Sequence, residues 1–334
     1  MSTKNGNQNG GQNGHHDDHK NGHGNGYQNG HSEASHVTRT LITIGGHEDK
    51  KGEKVVLREV AQRVGEGKLV VTTVASHQPE GYFEDYEPVF RELGIKEVVL
   101  LEIRERKDAS ETKNLDILAG ASGVFFTGGD QLKITSQIGD TPVFRRIQEI
   151  YQQGGVIAGT SAGASVVCET MLVSGSSDES HKVGDTLKMA PGLGLIQQVI
   201  IDQHFAERGR MGRLLGAVSQ NPRILGIGID EGTALVIENE TNVRVLGESA
   251  VYIVDASGVT HSNIAEKGVS GEALSIYDLK LHVLSHDDQF DIPTRRPGAL
   301  SGKVAAKIQL LEAEVVETGE AKTEVAVATS ESAR

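Results

Sequence analysis

The sequence predicts an α/β protein, with a mostly parallel sheet flanked by helices and β-rich additions toward the C-terminus. Between residues 39 and 169, short apolar runs alternate with stretches of helical spacing, which is the pattern of right-handed βαβ crossovers. After about residue 223 the apolar runs follow one another at short spacing with turn residues between them, as in an antiparallel meander. We therefore expect one α/β domain with additions rather than two independent domains.

Each predicted element is bounded by residues that start or stop it. Apolar runs that lead into glycine or polar turns predict strands at 39–46, 68–76, 96–103, 123–130 and from 156. Stretches of helical spacing predict helices at 54–67, 79–94, 115–123 and 141–155, several of them stopped by glycine. The meander is predicted from the runs at 224–230, 233–238, 242–247 and 249–256.

The two ends of the chain lack the apolar residues that a core needs. Asn, Gly, Gln and His dominate residues 1–36, which we expect to be a disordered tail because they bury too little surface to offset their ordering entropy. Histidines in this tail are able to bind a transition metal loosely, although a solubilising role is favoured. We expect residues 37–300 to form the α/β domain and residues 301–334 a flexible acidic tail.

Composition excludes several classes of function. The net charge of −13 and the lack of a basic cluster argue against a nucleic-acid partner. The sequence has no 18-residue apolar run and no apolar signal region, so we expect neither a membrane partner nor secretion. A single cysteine, Cys168, fits a reducing compartment, and we expect a cytoplasmic protein. We expect no metal or other cofactor, because the folded part lacks an HExxH motif, a cysteine cluster and a complete dinucleotide fingerprint.

The segment Gly159-Thr160-Ser161-Ala162-Gly163 fits the G-x-S-x-G pattern between an apolar strand and a helical stretch. Such a turn strains the serine backbone, exposes its hydroxyl and places a helix N-terminus behind it, which suits a nucleophile and an oxyanion. The alternative is a plain helix start, with Thr160 or Ser161 as the N-cap. On the first interpretation Cys168 lies two turns along the same helix and packs in the core.

Two further glycine turns follow predicted strands. Gly128 and Gly129, after the strand at 123–130, are candidate oxyanion donors through their backbone N–H groups, together with Ala162. An ordinary βα turn is equally compatible with this segment. For the third glycine turn, at 45–49, a structural role is favoured over a functional one.

A serine nucleophile needs a base and an acid that orients the base. His204 directly follows an apolar run and is the preferred base, with His47 as its main competitor. Asp230 and Glu231 follow the strand at 224–230, and either one is a candidate acid. The resulting order of serine, histidine and acid differs from that of α/β-hydrolases.

Four segments, TGGDQL, AGTSAGAS, DQHFAERGRMGRLL and GIGIDEGTA, resemble the signature segments of the cyanophycinases, which are peptidase E-like serine peptidases of family S51. The resemblance covers roughly residues 39–295. It implies a glutamine-amidotransferase-like fold, usually as a homodimer, with Ser161 as nucleophile, His204 as base and Glu231 as acid, Asp230 being the alternative.

The same resemblance implies the substrate cyanophycin, a poly-aspartate backbone with arginine on each β-carboxyl, and the product β-Asp-Arg. Six polar residues near the motifs are candidate substrate contacts, the arginines for carboxylates and the others for guanidinium or backbone groups: Gln131, Asp202, Gln203, Arg208, Arg210 and Arg213. The alternative for the arginines is a solvated basic face. Two other functions remain open, a dipeptidase that acts on α-linked Asp-X peptides and a non-catalytic binding or metal-chelating protein.

Overall fold

The computed structural model describes residues 37–76, 81–175, 182–183, 187–266 and 270–298 of the 334-residue chain. The two predicted tails, 1–36 and 301–334, lie outside the described residues, as do His77 and His181. The domain boundaries drawn from the sequence therefore stay a prediction.

A nine-stranded mixed sheet forms the centre of the fold, in the order β17-β16-β11-β10-β1-β5-β4-β2-β3. Its strands are β1 (Thr40–Ile44), β2 (Lys68–Thr72), β3 (Glu97–Leu101), β4 (Ala121–Phe126), β5 (Val156–Thr160), β10 (Thr233–Glu238), β11 (Asn242–Gly247), β16 (Gln289–Asp291) and β17 (Arg296–Pro297). Strands β1 to β5 of this sheet pair in parallel, whereas β10 joins β1 antiparallel and starts the antiparallel half. The predicted mostly parallel sheet, flanked by helices and extended by β-rich additions, is confirmed.

Within the described residues, eight further strands lie outside this sheet. They are β6 (Thr170–Ser174), β7 (Lys188–Pro191), β8 (Val199–Gln203), β9 (Leu225–Ile229), β12 (Val251–Asp255), β13 (His261–Ser262), β14 (Ile276–Tyr277) and β15 (Lys280–Leu284). A four-stranded sheet has the order β15-β12-β9-β8, with β8 and β9 parallel. Two of the runs expected in one meander, β9 and β12, therefore belong to this second sheet instead of following β10 and β11.

Helices cover both faces of the parallel half. They are α1 (Val55–Val64), α2 (Tyr82–Glu92), α3 (Thr112–Leu118), α4 (Gln131–Ile138), α5 (Pro142–Gln152), α6 (Ala162–Ser165) and α7 (Met211–Gln220), and a 3-10 turn spans Arg106–Ser110. Successive residues of β1 enter opposite cores: Ile42 packs with α1 and α2, and Leu41 packs in the core that includes α3, α4 and α5. Burial on both faces explains the continuous apolar run of this strand. Helix α7 packs on the second sheet.

Two predicted helices end earlier than their sequence pattern indicated. The helix expected at 115–123 stops at Leu118, because Gly120 has a positive φ of 69° and the chain enters β4 at Ala121. The helix expected to carry Cys168 is only four residues long. After it the backbone turns to pair with residues 193–196, since Leu193 donates to the Val166 carbonyl and Leu195 donates to that of Val167. Cys168 is fully buried, as expected, but it does not lie on the helix of Ser161.

Among the described residues, no helix is both long and apolar enough to span a membrane.

Candidate active site

Ser161 stands between the end of β5 and the start of α6, in a backbone conformation that side chains rarely adopt, with φ 53° and ψ −112°. Conformations of this kind cost about 1–3 kcal/mol and persist where the surroundings impose them. Here the Ser161 N–H donates to the carbonyl of Ile44 at 3.0 Å. A Cβ at Gly163 would lie 2.5 Å from the Phe126 carbonyl oxygen, so the turn requires glycine there. The strained elbow expected from G-x-S-x-G is present.

Neither hydroxyl of this turn caps the helix. The Ser161 side chain makes no capping hydrogen bond to α6. Its Oγ lies 3.0 Å from Nε2 of His204 and 3.4 Å from Oε1 of Gln203. The Thr160 hydroxyl donates to Oε2 of Glu48 at 2.7 Å. The geometry therefore favours a nucleophile over a plain helix start.

His204 follows β8 directly and is buried, with a positive φ of 48°. Its backbone N–H donates to the Gly45 carbonyl at 2.8 Å. Its ring lies between two partners, because Nδ1 is 2.5 Å from Oε1 of Glu231 while Nε2 contacts Ser161. Since a carboxylate faces Nδ1, that nitrogen carries the proton and Nε2 presents a lone pair to the serine hydroxyl.

The two candidate acids after β9 have different surroundings. Glu231 contacts His204, and its side chain is 27% exposed. Asp230 is buried and accepts a hydrogen bond from the Ala206 N–H at 2.9 Å, and burial raises the pKa of its carboxyl. The structure thus brings Glu231, and not Asp230, to the imidazole.

Burial also sets the protonation of the base. It lowers the pKa of His204 below its usual 6.5, with smaller contributions in the same direction from Arg208 and Arg210, and the hydrogen bond with Glu231 opposes the shift. The imidazole is therefore neutral near pH 7 and able to accept a proton from Ser161.

The turn after β4 borders the same cavity, which has a volume of about 790 Å³. Gly128 packs against the serine, since a Cβ at this position would lie 3.4 Å from the Ser161 Cβ. Gly129 has a φ of 144°, and a Cβ there would fall 2.2 Å from the Ala75 carbonyl oxygen. No oxygen of the described chain accepts a hydrogen bond from the N–H of Gly128, Gly129 or Ala162. These donors are free for an oxyanion.

Four of the six candidate substrate residues form a connected cluster: Asp202, Gln203, Arg210 and Arg213. Asp202, on β8, is 1% exposed, and both of its carboxylate oxygens accept from Arg213. Arg210 donates to the same carboxylate at 3.1 Å and to the side chain and carbonyl of Gln203. The Asp202 carboxylate is thus occupied by arginines of its own chain, where the sequence suggested a substrate guanidinium.

Every candidate except Asp202 borders the cavity. Arg210 and Arg213 line it although both are buried, and Arg208 lines it while exposed to solvent. Burial lowers the pKa of Arg210 to about 10, and within the described chain its Nε has no hydrogen-bond partner. Gln131 also borders the cavity, and its amide nitrogen donates to the Leu172 carbonyl at 2.8 Å.

A sequence model of peptidase family S51 matches residues 41–245, which include Ser161, His204 and Glu231. The chain belongs to peptidase family S51. Relatives of this S51 peptidase named cyanophycinase include those of Trichormus variabilis, 42% identical over 258 residues (76% of this chain and 86% of the relative), and Geminocystis herdmanii, 36% identical over 267 residues (79% and 97%). The cyanophycinase of Synechococcus elongatus is 36% identical over 269 residues, 80% of this chain and 83% of the relative.

A crystal structure of a peptidase from an acI-B1 actinobacterium has the same fold as this S51 peptidase. It superposes with a TM-score of 0.56 at 21% identity, over 77% of this chain and 98% of the other. Membership of family S51 makes the chain a serine-type peptidase, and the structural neighbour shows its fold.

Sequence reasoning underrated one part of the site of this S51 peptidase, the turn at 45–49. Glu48 is buried under the serine turn, where it accepts from Thr160 and from the Tyr86 hydroxyl. Lys50 lies 4.4 Å from the centre of the Tyr86 ring. A glutamate in a glycine turn at a strand end was the available signal, but only the pairing of β1 with β5 shows that the turn meets the nucleophile.

His47, the other base considered, belongs to the same turn. Its side chain is 72% exposed, and its Nδ1 lies 3.6 Å from Oε2 of Glu231. It contacts Glu231, whereas His204 contacts both Glu231 and Ser161.

Proposed function

We propose that this S51 peptidase hydrolyses cyanophycin and releases β-Asp-Arg dipeptides, with Ser161 as nucleophile, His204 as base and Glu231 as the acid that orients the base. The observation that carries the proposal is the unbroken chain of contacts from Ser161 through His204 to Glu231 at the wall of a polar cavity. The substrate follows from the relatives, several of which are named cyanophycinase.

The first half of the reaction uses the neutral imidazole. His204 Nε2 takes the serine proton as Ser161 Oγ attacks the carbonyl carbon of the scissile amide. The N–H groups of Gly128, Gly129 and Ala162 stabilise the negative charge that forms on the carbonyl oxygen. The imidazolium then gives its proton to the leaving amine, and an acyl-enzyme remains on Ser161.

Water completes the second half. His204 again acts as base and activates a water molecule, which attacks the ester carbonyl and frees the serine. Glu231 stays ionised throughout. Its carboxylate accepts a hydrogen bond from the Nδ1–H of His204, which holds the ring in place, and it stabilises the imidazolium whenever the ring is protonated.

The cavity supports a substrate rich in carboxylates. Arg208, Arg210 and Arg213 present cationic groups to it, and the buried Asp202 carboxylate orients the last two. Guanidinium groups bind carboxylates with defined geometry, and the arginine side groups of the polymer carry free α-carboxylates. Gln131 and Gln203 add amide groups for the peptide part. A cavity of about 790 Å³ suits the end of a chain, consistent with release of dipeptides.

Purified cyanophycin, incubated with the enzyme and followed by mass analysis of products, tests the proposal. The wild type should release β-Asp-Arg, and Ser161→Ala should reduce the rate by at least about a thousandfold. Ser165→Ala, in the same helix and fully enclosed, is the matched control and should keep its activity. Normal hydrolysis by Ser161→Ala would remove the mechanism. Faster cleavage of α-linked Asp-Leu than of the polymer would replace the substrate by that of a dipeptidase.

We also propose that the enzyme is a cytoplasmic homodimer, the location being inferred from its composition and the dimer from its family. Light scattering on the purified chain tests the oligomeric state, and a monomer mass would refute it. Fractionation of cells that express the full chain tests the location, and recovery of the protein in the membrane or secreted fraction would refute that part.

A further inference from the structure

Three ligand-bearing side chains from distant parts of the chain converge beside the catalytic base. They belong to His47, after β1, to His204, after β8, and to Glu231, after β9. One nitrogen from each histidine and one carboxylate oxygen lie within 4.8 Å of one another. The two rings meet edge to face, with centroids 5.5 Å apart and an interplanar angle of 84°.

We propose that His47, His204 and Glu231 bind a divalent transition-metal ion, Zn²⁺ above all, and that the bound ion reversibly inhibits the peptidase. Two imidazoles and a carboxylate are a common set of zinc ligands, and a water molecule from the cavity completes a tetrahedron. Magnesium and calcium prefer sets made only of oxygen ligands and do not suit this cluster.

The distances require an adjustment of up to about 1.5 Å, because ligand atoms that now lie within 4.8 Å of one another must come closer together. Ligand atoms around a tetrahedral zinc ion lie about 3.3 Å apart, given bonds of about 2.0–2.1 Å. His47 Nδ1 and Glu231 Oε2 are 3.6 Å apart, close to this value. The pair of His204 Nδ1 and Glu231 Oε1, at 2.5 Å, must open by about 1 Å to admit the ion. His47 and Glu231 have solvent-exposed fractions of 72% and 27%, so these two side chains have room to move toward a fixed His204.

Inhibition follows from the position that the metal takes on the imidazole. In the free enzyme, Nδ1 of His204 carries the proton and Nε2 presents its lone pair to Ser161. A metal on Nδ1 replaces that proton, which moves to Nε2 of the same neutral ring, so no proton is gained or lost. Ser161 then faces an N–H donor and has no acceptor for its own proton. The ion also binds the carboxylate that orients the base.

His47 is the ligand that separates metal binding from catalysis. It lies outside the proposed mechanism, and its loss leaves the contacts between Ser161, His204 and Glu231 in place. Asparagine tolerates its positive φ of 49° and puts an amide group where the imidazole nitrogen was, and an amide oxygen is a much poorer ligand for zinc than imidazole. His286→Asn, at an exposed histidine beside Asp287, provides the matched control.

The test uses the full chain, first freed of metal with EDTA, and follows the rate at which a fluorophosphonate labels Ser161. Added Zn²⁺ should slow labelling of the wild type, and EDTA should restore it. Measured against its own metal-free rate, His47→Asn should require at least about tenfold more zinc for the same fractional inhibition. His286→Asn should behave as the wild type. Equal sensitivity of His47→Asn and wild type would overturn the proposal and assign the effect to other histidines, such as those of residues 1–36. The proposal would also be overturned if zinc did not slow labelling of the wild type.

The inhibitory part rests on the proposed roles of Ser161 and His204, and the readouts keep the two apart. If Ser161 labels but the enzyme leaves cyanophycin intact, the proposed substrate fails and the zinc proposal is decided by labelling. If Ser161 does not label even without metal, the proposed mechanism and the inhibition both fail. Equilibrium dialysis then decides the binding site alone, where the proposal requires one bound zinc to be lost in His47→Asn and retained in His286→Asn.

Discussion

Replacing Glu231 by glutamine gives the sharpest test of the proposed site, because a second acid, Asp230, is available next to it as a control. Glu231→Gln keeps the size of the side chain and removes the charge that faces His204 Nδ1 at 2.5 Å. A hydrogen bond to a charged group contributes about 1.5–3 kcal/mol, which corresponds to roughly a 10- to 150-fold effect on rate. The glutamine NH₂ group is also able to donate to Nδ1, which puts the proton on Nε2 and blocks the base, as in triads whose acid is replaced by its amide. We therefore expect kcat to fall by about 10²- to 10⁴-fold.

The assay is the steady-state release of β-Asp-Arg from cyanophycin, with thermal unfolding measured on the same preparations. Asp230→Asn should retain kcat within about threefold, because that carboxylate accepts from the Ala206 N–H and does not contact the imidazole. Its cost should appear in the unfolding temperature instead. A kcat of Glu231→Gln close to the wild type, or an equal loss of kcat in Asp230→Asn, would refute the assignment of the acid.

Three further predictions concern residues around the triad. Gly46→Ala places a Cβ 2.3 Å from Cε1 of His204 and should slow fluorophosphonate labelling about 100-fold, whereas Gly65→Ala, also at a positive φ but in open space, should not; equal rates would contradict the reasoning. Thr160→Val leaves the buried Glu48 without one donor and should cost about 1–3 kcal/mol in denaturant unfolding, with a smaller loss for Thr160→Ser; a valine variant as stable as the wild type would argue against that hydrogen bond. Cys168 is fully buried, and burial raises the pKa of its thiol to about 12, so iodoacetamide should modify it only after unfolding; rapid alkylation of the native enzyme would contradict this burial.

The sequence predicts best those parts of the fold that depend on local signals. Strand β5 and the turn at Ser161 follow from an apolar run and two glycines, and both are present where the pattern put them. The sequence indicates His204 and the pair Asp230 and Glu231 because they follow apolar runs, and the carboxyl ends of neighbouring strands open on the same edge of a sheet. The resemblance to a known family added the choice of Glu231 over Asp230, which the residues alone had left open.

Failures of the sequence analysis concern partners that are distant in the chain. The helix after Ser161 is short because residues 166–168 pair with 193–196, and no local pattern announces that pairing. Asp202 is suitable for a substrate guanidinium by type, yet Arg210 and Arg213 occupy it, since α7 starts beside the end of β8. A metal site assembled from residues 47, 204 and 231 has no spacing that a motif search recognises.

The end of β1 explains why three separate segments converge with enough precision for catalysis. Three successive carbonyls each hold one part of the site: that of Ile44 accepts from Ser161, that of Gly45 from His204, and that of Gly46 from Gly232, the residue after Glu231. Because these acceptors are three consecutive residues at the end of β1, the segments of Ser161, His204 and Glu231 are positioned relative to a common frame and not merely to each other. Glycine is required along this frame, since a Cβ at Gly45 would fall 2.0 Å from the Asp230 carbonyl oxygen and one at Gly46 would meet the His204 ring. The turn at 45–49, which the sequence suggested to be merely structural, thus sets the geometry on which the proposed chemistry depends.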